Sequence, residues 1–378
     1  MSITNWVQLT TTEFSDTVCS LKYYIDDTTI GNRKISENIK KIKNNPLLTY
    51  TTESGTSGIL DIRTNMLYDI PITIKDNSVT SQLNPNGTLM LTGDLEGCTE
   101  VFEIKNITKK LNPPRVIDLY EENNIVTSPK SDSKILAVEW FNNNYYASAD
   151  MTNIMIYKYI EEHEANYQLV KENVELVATI RIGTPTNCIK WHPDNSQLVA
   201  GGDDNIVRII DINIDLKKIT KIIKMNGHTD SILSVDWVKK DNYDNGLIVS
   251  SSKDGTINIW DPSNTENVLM YTISVGECDI KSVSWSPYGN HILSANNYRD
   301  NTCILQIWNL KSPDPVCTIN VCDDNSGIIN MAIWNSNGHH IACSVTGIYS
   351  IFDKNYTRDF VNIYYNPKIS SSPKILQS

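Results

Sequence analysis

Residues 227–261 read GHTDSILSVDWVKKDNYDNGLIVSSSKDGTINIWD, and their reading decides the fold. A Gly227-His228 turn leads into an alternating strand that ends at Trp237. A polar loop follows, then an apolar strand from Leu247 to Ser251. A Lys-Asp-Gly turn reverses the chain into Ile257, Ile259 and Trp260, closed by Asp261. Apolar residues at period two mark strands with one buried face, and Asp-Gly between such runs marks a hairpin.

The same strand recurs along the chain. Trp140, Trp191, Trp237, Trp285 and Trp334 are separated by 51, 46, 48 and 49 residues, and each ends an alternating run. A second ladder marks a later strand of each unit at Tyr157, Ile210, Trp260, Trp308 and Phe352. Upstream, Val79 to Ile104 repeats the pattern with Leu83 in the Trp position, and Asp16 to Arg63 repeats it around an insertion. Units therefore begin near residues 14, 79, 134, 185, 230, 279 and 327. Repeats of this length are one four-stranded sheet each, the blade of a propeller.

The 227–261 unit resembles a repeat of the WD40 family, whose signature is a Gly-His near the start, an Asp in a tight turn and a closing Trp-Asp. The resemblance implies an all-β fold: a single seven-bladed WD40-type β-propeller over residues 1–353, with antiparallel four-stranded blades. A basic insertion is expected at 31–45 in the first blade and a tail over 354–378. Outer strands are expected at Tyr68–Ile74, Arg115–Leu119, Glu175–Ile182, Lys218–Met225, Val268–Val275 and Pro315–Val321. Two segments compete for the seventh outer strand, Asn5–Thr10 and Phe360–Tyr365. The N-terminal one is preferred, because joining both chain ends in one blade removes the last free edges.

The resemblance also implies a hydrogen-bonded tetrad of His228, Ser250, Asp254 and Trp260. The residue types suit it, since an imidazole can bridge a carboxylate and a hydroxyl, and the hydroxyl can take the indole N–H. A His–Asp–Ser set also suits a catalytic triad. The repeat pattern already explains these residues, and buried polar networks are mostly structural.

Composition narrows the function. The chain has 378 residues, 40% of them hydrophobic, and a net charge of −11, which disfavours nucleic acid and anionic membranes as partners of the whole molecule. No apolar run is long enough to span a bilayer, and MSITNWVQL lacks the form of a signal peptide. The eight cysteines form no CxxC pair and read as reduced thiols of an intracellular protein, cytoplasmic or nuclear. No metalloprotease, esterase, P-loop or dinucleotide motif occurs, so no catalytic residue, metal or cofactor is expected. His339-His340 and Trp191-His192-Pro193 have no carboxylate or cysteine cluster beside them in sequence and are not read as ligands.

Sorting loop charges by propeller face gives more. The family's top face carries Asp150, Asp203, Asp230, Lys253, Asp279, Asp300 and Asp324, and reads as a site for a basic or polar peptide. The bottom carries Arg33, Lys34, Lys40, Lys41, Lys43, Lys109, Lys110, Lys217 and Lys218, and reads as a surface for an acidic partner or RNA. Ile35, Ile39 and Ile42 give the insertion helical spacing. Leu60-Asp61-Ile62-Arg63 weakly resembles the WDxR ending of WD40 substrate receptors of cullin ubiquitin ligases. The expected function is a non-enzymatic scaffold or adaptor that binds protein subunits or peptides, with no membrane or small-molecule substrate. The alternatives are a cullin-type substrate receptor and an RNA-processing or translation factor.

Overall fold

The structure is a computed structural model, and it describes residues 7–14, 17–23, 47–61, 66–70, 78–103, 125–163, 169–194, 197–215, 217–241, 243–264, 268–321, 327–335, 338, 340–351 and 354–366. Twenty-eight strands form seven four-stranded antiparallel sheets, arranged as a seven-bladed β-propeller. Inner strands begin at Val18, Ser78, Ala137, Thr186, Ile232, Cys278 and Gly327, within four residues of the expected unit starts.

The second strand of each blade is buried on both faces. Leu247, Ile248 and Val249 in the fifth blade are 0% exposed, which is why that segment reads as a continuous apolar run. The core is divided among the seams between blades. Val207, Ile209 and Met225 of the fourth blade pack with Ile232, Trp237, Ile248 and Trp260 of the fifth. The Trp ladder lies in these seams, so each Trp buries its ring against a neighbouring sheet. Each such ring removed from water stabilises by about 3 kcal/mol.

The seventh blade unites the chain ends. Its inner strand is Gly327–Trp334, followed outward by His340–Ile351, Lys354–Tyr365 and Val7–Phe14. The N-terminal strand closes the ring, with Thr11 opposite Asn362 and Glu13 opposite Phe360. Phe360–Tyr365 is not its competitor but its partner. This corrects the expected tail: the chain from Lys354 to Tyr365 is the blade's third strand. Phe352, expected in that strand, falls between the two long strands and outside the described residues. In the second blade the outer strand is Ile125–Thr127, paired with Thr99–Glu103, and the expected 115–119 lies outside the described residues.

The top hairpins share one solution. Asn205, Gly255 and Asn301 have φ of 65°, 72° and 67°, and each follows an Asp. Asp254 Oδ1 accepts the Thr256 N–H at 2.9 Å, and Asp300 Oδ1 accepts the Thr302 N–H at 2.9 Å. Asn and Gly tolerate the left-handed conformation, and Asp braces the turn from its side chain. At Gly255 a Cβ would also lie 1.9 Å from the Gly276 carbonyl oxygen. Gly255→Ala is therefore expected to cost about 2 kcal/mol or more, read as a lower urea midpoint. An unchanged midpoint would contradict that backbone geometry.

Candidate functional site

The tetrad side chains of the fifth blade are joined end to end. Trp260 Nε1–H donates to Ser250 Oγ at 2.9 Å, and Ser250 Oγ lies 2.7 Å from His228 Nε2. His228 Nδ1 lies 3.0 Å from Asp254 Oδ2. The indole can only donate, so the serine hydroxyl donates onward to Nε2, and Nδ1–H faces the carboxylate. Burial opposes charge on Asp254, but hydrogen bonds from His228, Thr256 and the Thr229 N–H outweigh it and hold the carboxyl well below its usual range. Gly227 makes room for this network: a Cβ there would meet Trp260 Cη2 at 2.8 Å. Ser250 is 0% exposed, so no substrate reaches its hydroxyl, and the set fixes the blade.

Other blades replace this set. In the fourth, Ala200 and Ile210 stand at the positions of Ser250 and Trp260, and Asp204, at the position of Asp254, forms a two-point pair with Arg208. In the sixth, Trp308 Nε1–H donates to Ser294 Oγ at 2.9 Å, which keeps half the network.

A second polar constellation lies on the ring axis. Glu139 of the third blade pairs with Lys190 of the fourth at 2.8 Å and with Lys22 of the first. The first and third blades are not neighbours, so Lys22 and Glu139 meet across the central channel. Asp236 of the fifth blade accepts the Trp285 N–H at 2.7 Å and the Trp237 N–H at 2.9 Å. Gln82 Oε1 likewise accepts the Trp140 N–H at 2.7 Å, and Ser284 Oγ the Trp334 N–H at 3.2 Å. Burial opposes ionisation of Glu139, but Lys190 and then Lys22 outweigh it and hold its carboxyl to about 2. Sequence reasoning did not single out these residues. The signal was present, because a polar residue precedes the Trp or Leu that ends the inner strand in every blade from the second to the sixth.

The expected top-face residues do not all converge. Asp230, Lys253 and Asp279 line one groove of about 800 Å³ over the fifth, sixth and seventh blades, together with Glu277, Lys281, Tyr298, Arg299 and Ile328. Its charges are mixed. Lys281 lies 3.5 Å from Asp279, and Arg299 lies 3.5 Å from Glu277, with both members of the second pair 84% exposed. Asp203 stands apart on the fourth blade and accepts from Asn187 at 2.8 Å. Asp300 is exposed but braces its own turn. Asp150 is a correction. It is 0% exposed and spends its carboxylate on Ser131 and on the Thr152 and Asn153 N–H groups, so it presents nothing to a partner. Asp324 lies outside the described residues.

Of the basic set, Lys217 pairs with Glu175 and Lys218 is exposed. Arg33, Lys34, Lys40, Lys41, Lys43, Lys109 and Lys110 lie outside the described residues, as do Arg63 and the 31–45 insertion. Among the described residues no group of His, Cys, Asp and Glu could hold a metal ion. Burial pushes the Cys188 and Cys278 thiols up to about 12, so neither is a ready thiolate. No helix among the described residues is long and apolar enough to cross a membrane.

The model for the WD domain, G-beta repeat, matches residues 176–211, 219–261 and 268–308. Each match joins the outer strand of one blade to three strands of the next. The WD repeat-containing protein slp1 of Schizosaccharomyces pombe is 29% identical over 126 residues, 33% of this chain and 23% of that protein. The nuclear distribution protein PAC1 of Yarrowia lipolytica is 32% identical over 127 residues, 29% of this chain and 28% of that protein. The protein transport protein sec13 of Emericella nidulans is 30% identical over 146 residues, 34% of this chain and 46% of that protein. The matched stretch thus spans less than half of each of these relatives. A chain in a crystal structure of the mitotic checkpoint complex superposes with a TM-score of 0.60 at 16% identity, covering 85% of this chain and 86% of that one, which shows the shared fold. The chain therefore carries WD40 repeats in its fourth to sixth blades, within a closed seven-bladed β-propeller.

Proposed function

We propose that this protein is a non-enzymatic scaffold or adaptor subunit, and that a polar peptide segment of its partner docks in the groove over the fifth to seventh blades. The groove carries the reading. Asp279 and Lys281 stand on the inner strand Cys278–Trp285, and Lys253 and Arg299 on tight turns, so the backbone that carries them is already ordered and little freedom is lost when they engage a partner. Asp230 and Lys253 are exposed, and no ion pair to either occurs among the described residues. Ile328, 39% exposed, adds an apolar side chain to the lining. A rigid concave surface with a few unspent charges and an apolar patch has the anatomy of a peptide-binding site.

The test is affinity capture from the native cell with the wild type beside a variant carrying Asp230→Lys and Asp279→Lys. A partner retained by the wild type and lost by the variant, at equal melting temperature, supports the groove. A partner held equally by both moves the site elsewhere. Binding that ignores salt would also count against the charges, since exposed pairs weaken as salt rises.

A further inference from the structure

The second and third strands of the seventh blade pair from His340 opposite Tyr365 to Ile351 opposite Lys354, and no bulge interrupts them. Their neighbours stop short. The inner strand's pairing ends with Gly327 opposite Gly347, and the N-terminal strand's with Phe14 opposite Asp359. Past those rungs the hairpin runs on as a two-stranded arm, 348–351 beside 354–357, for about 13 Å at a strand's rise per residue. In the fifth blade the same two strands end at Ser251 opposite Ile257, and the chain turns at once through Lys253, Asp254 and Gly255. A ribbon of two strands is marginal in water, and a third strand stabilises it. The two edges of the arm differ. The outer-side strand carries Lys354 and Arg358, the kind of charge that blunts an edge. The inner-side strand reads Gly347-Ile348-Tyr349-Ser350-Ile351, uncharged and made mostly of strand-forming residues. In an antiparallel pair every second residue turns its N–H and C=O away from its partner. Along 348–351 those groups face the side on which the inner strand has stopped, and among the described residues no strand pairs there. That side adjoins the top groove: Gly327 and Ile328 line the groove, and they pair with Gly347 and Thr346 at the foot of the arm.

We propose that the inner edge of this arm takes an extended segment of the partner protein as an added β-strand, antiparallel to 348–351, whose C-terminal end leads down into the groove. The path of the segment rests on the groove as the docking site, and the pairing rests on the arm. Strand addition draws affinity from main-chain hydrogen bonds and selectivity from alternate side chains. An uncharged edge suits a segment of alternating β-branched and polar residues. The segment's charge belongs at the end that enters the groove, where Asp230 and Lys253 are exposed. A second copy of this chain is the poorer occupant, because two molecules of net charge −11 repel.

The probe is a synthetic peptide, Thr-Val-Thr-Val-Thr-Gly-Ser-Lys, titrated against the full chain with fluorescence anisotropy and amide hydrogen exchange. The expected result is saturable binding that slows exchange at 348–351. Two N-methylated forms of the peptide, one at its second and fourth residues and one at its third and fifth, keep every side chain. Only one set of those N–H groups can face the arm, so one form should bind at least about tenfold weaker than the other. Equal affinity of the two forms would overturn the proposal, as would exchange at 348–351 unaltered by saturating peptide. A chain in which Asn-Gly replaces residues 348–357, closing the hairpin at its foot, should lose the difference between the two forms. Full affinity in that variant would also count against the arm. Asp230→Lys with Asp279→Lys keeps the two readings apart: slowed exchange at 348–351 in that variant supports the arm by itself. Partner capture lost in it, with 348–351 unaltered by peptide in the wild type, leaves the groove standing and removes the arm. A wild-type dimer in sedimentation that the shortened arm dissolves would overturn the proposal in favour of self-pairing.

Discussion

Glu139→Gln lowers the unfolding free energy by about 3–5 kcal/mol at neutral pH, the expected cost of removing one partner from a buried ion cluster. The substitution keeps the shape and removes the charge that Lys22 and Lys190 share. Burial opposes the charge on both Lys190 and Lys22, and Glu139 is the foremost charge offsetting it at each, so the variant leaves two buried ammonium groups without that support. The pH dependence carries a sign that checks the cause. The Glu139 carboxyl is held to about 2 in the fold, against an ordinary 4.5. Its contribution is therefore complete above about pH 4.5 and is lost as pH falls toward 2, about 3 kcal/mol in all. The gap in urea stability between wild type and Glu139→Gln should close over that window. A gap that stays constant from pH 6 to 2 would mean the loss is one of packing and not of charge.

Trp260→Ala is the second large effect, at about 3–5 kcal/mol, the cost of a buried large-to-small change. The ring is 1% exposed and fills the seam between the fourth and fifth blades beside Val207, Ile209 and Met225. Its loss leaves a cavity and also strips Ser250 of its N–H donor. Trp260→Phe separates the two causes, because it keeps most of the volume and removes only the donor, for about 1 kcal/mol. Thermal melts of both variants are the measurement. If Trp260→Ala melts with the wild type, the ring does not occupy that seam.

The blades that were easiest to read in the sequence are those whose Trp rings sit between sheets. Trp140, Trp191, Trp285 and Trp334 each end an inner strand, and the spacing between them is the spacing of blades. Period-two alternation reported the buried faces, and the seams demand large rings at one height. The seventh blade misled for a physical reason. Phe352-Asp353 has the form of a closing Trp-Asp, but the second strand runs to Ile351 and the third begins at Lys354, so the hairpin is longer than in the other blades. Acidic residues were easy to place on the top face and hard to interpret. A carboxylate that braces a turn, such as Asp150, and one that faces solvent, such as Asp230, have the same letter and are assigned to the same face by sequence. What distinguishes them is how far the fold covers the carboxylate: Asp150 is fully buried beneath Ser131, Thr152 and Asn153, whereas Asp230 accepts the Ser231 N–H and stays exposed. The channel charges were hidden for another reason: Lys22 and Glu139 are 117 residues apart, and only the closed ring brings them together.

The union of Val7–Phe14 with Lys354–Tyr365 sets the order in which this protein can be made. Thr11 and Asn362, which share a hydrogen bond, are separated by 351 positions. A ribosome adding about 5–20 residues per second needs tens of seconds between emitting the first and the second. Through that interval the opening segment has emerged but has no strand to join, and every other blade is complete before it. Val7–Phe14 is thus made before every strand of the blade it joins yet is the last to be seated, and until then two strand edges stay bare.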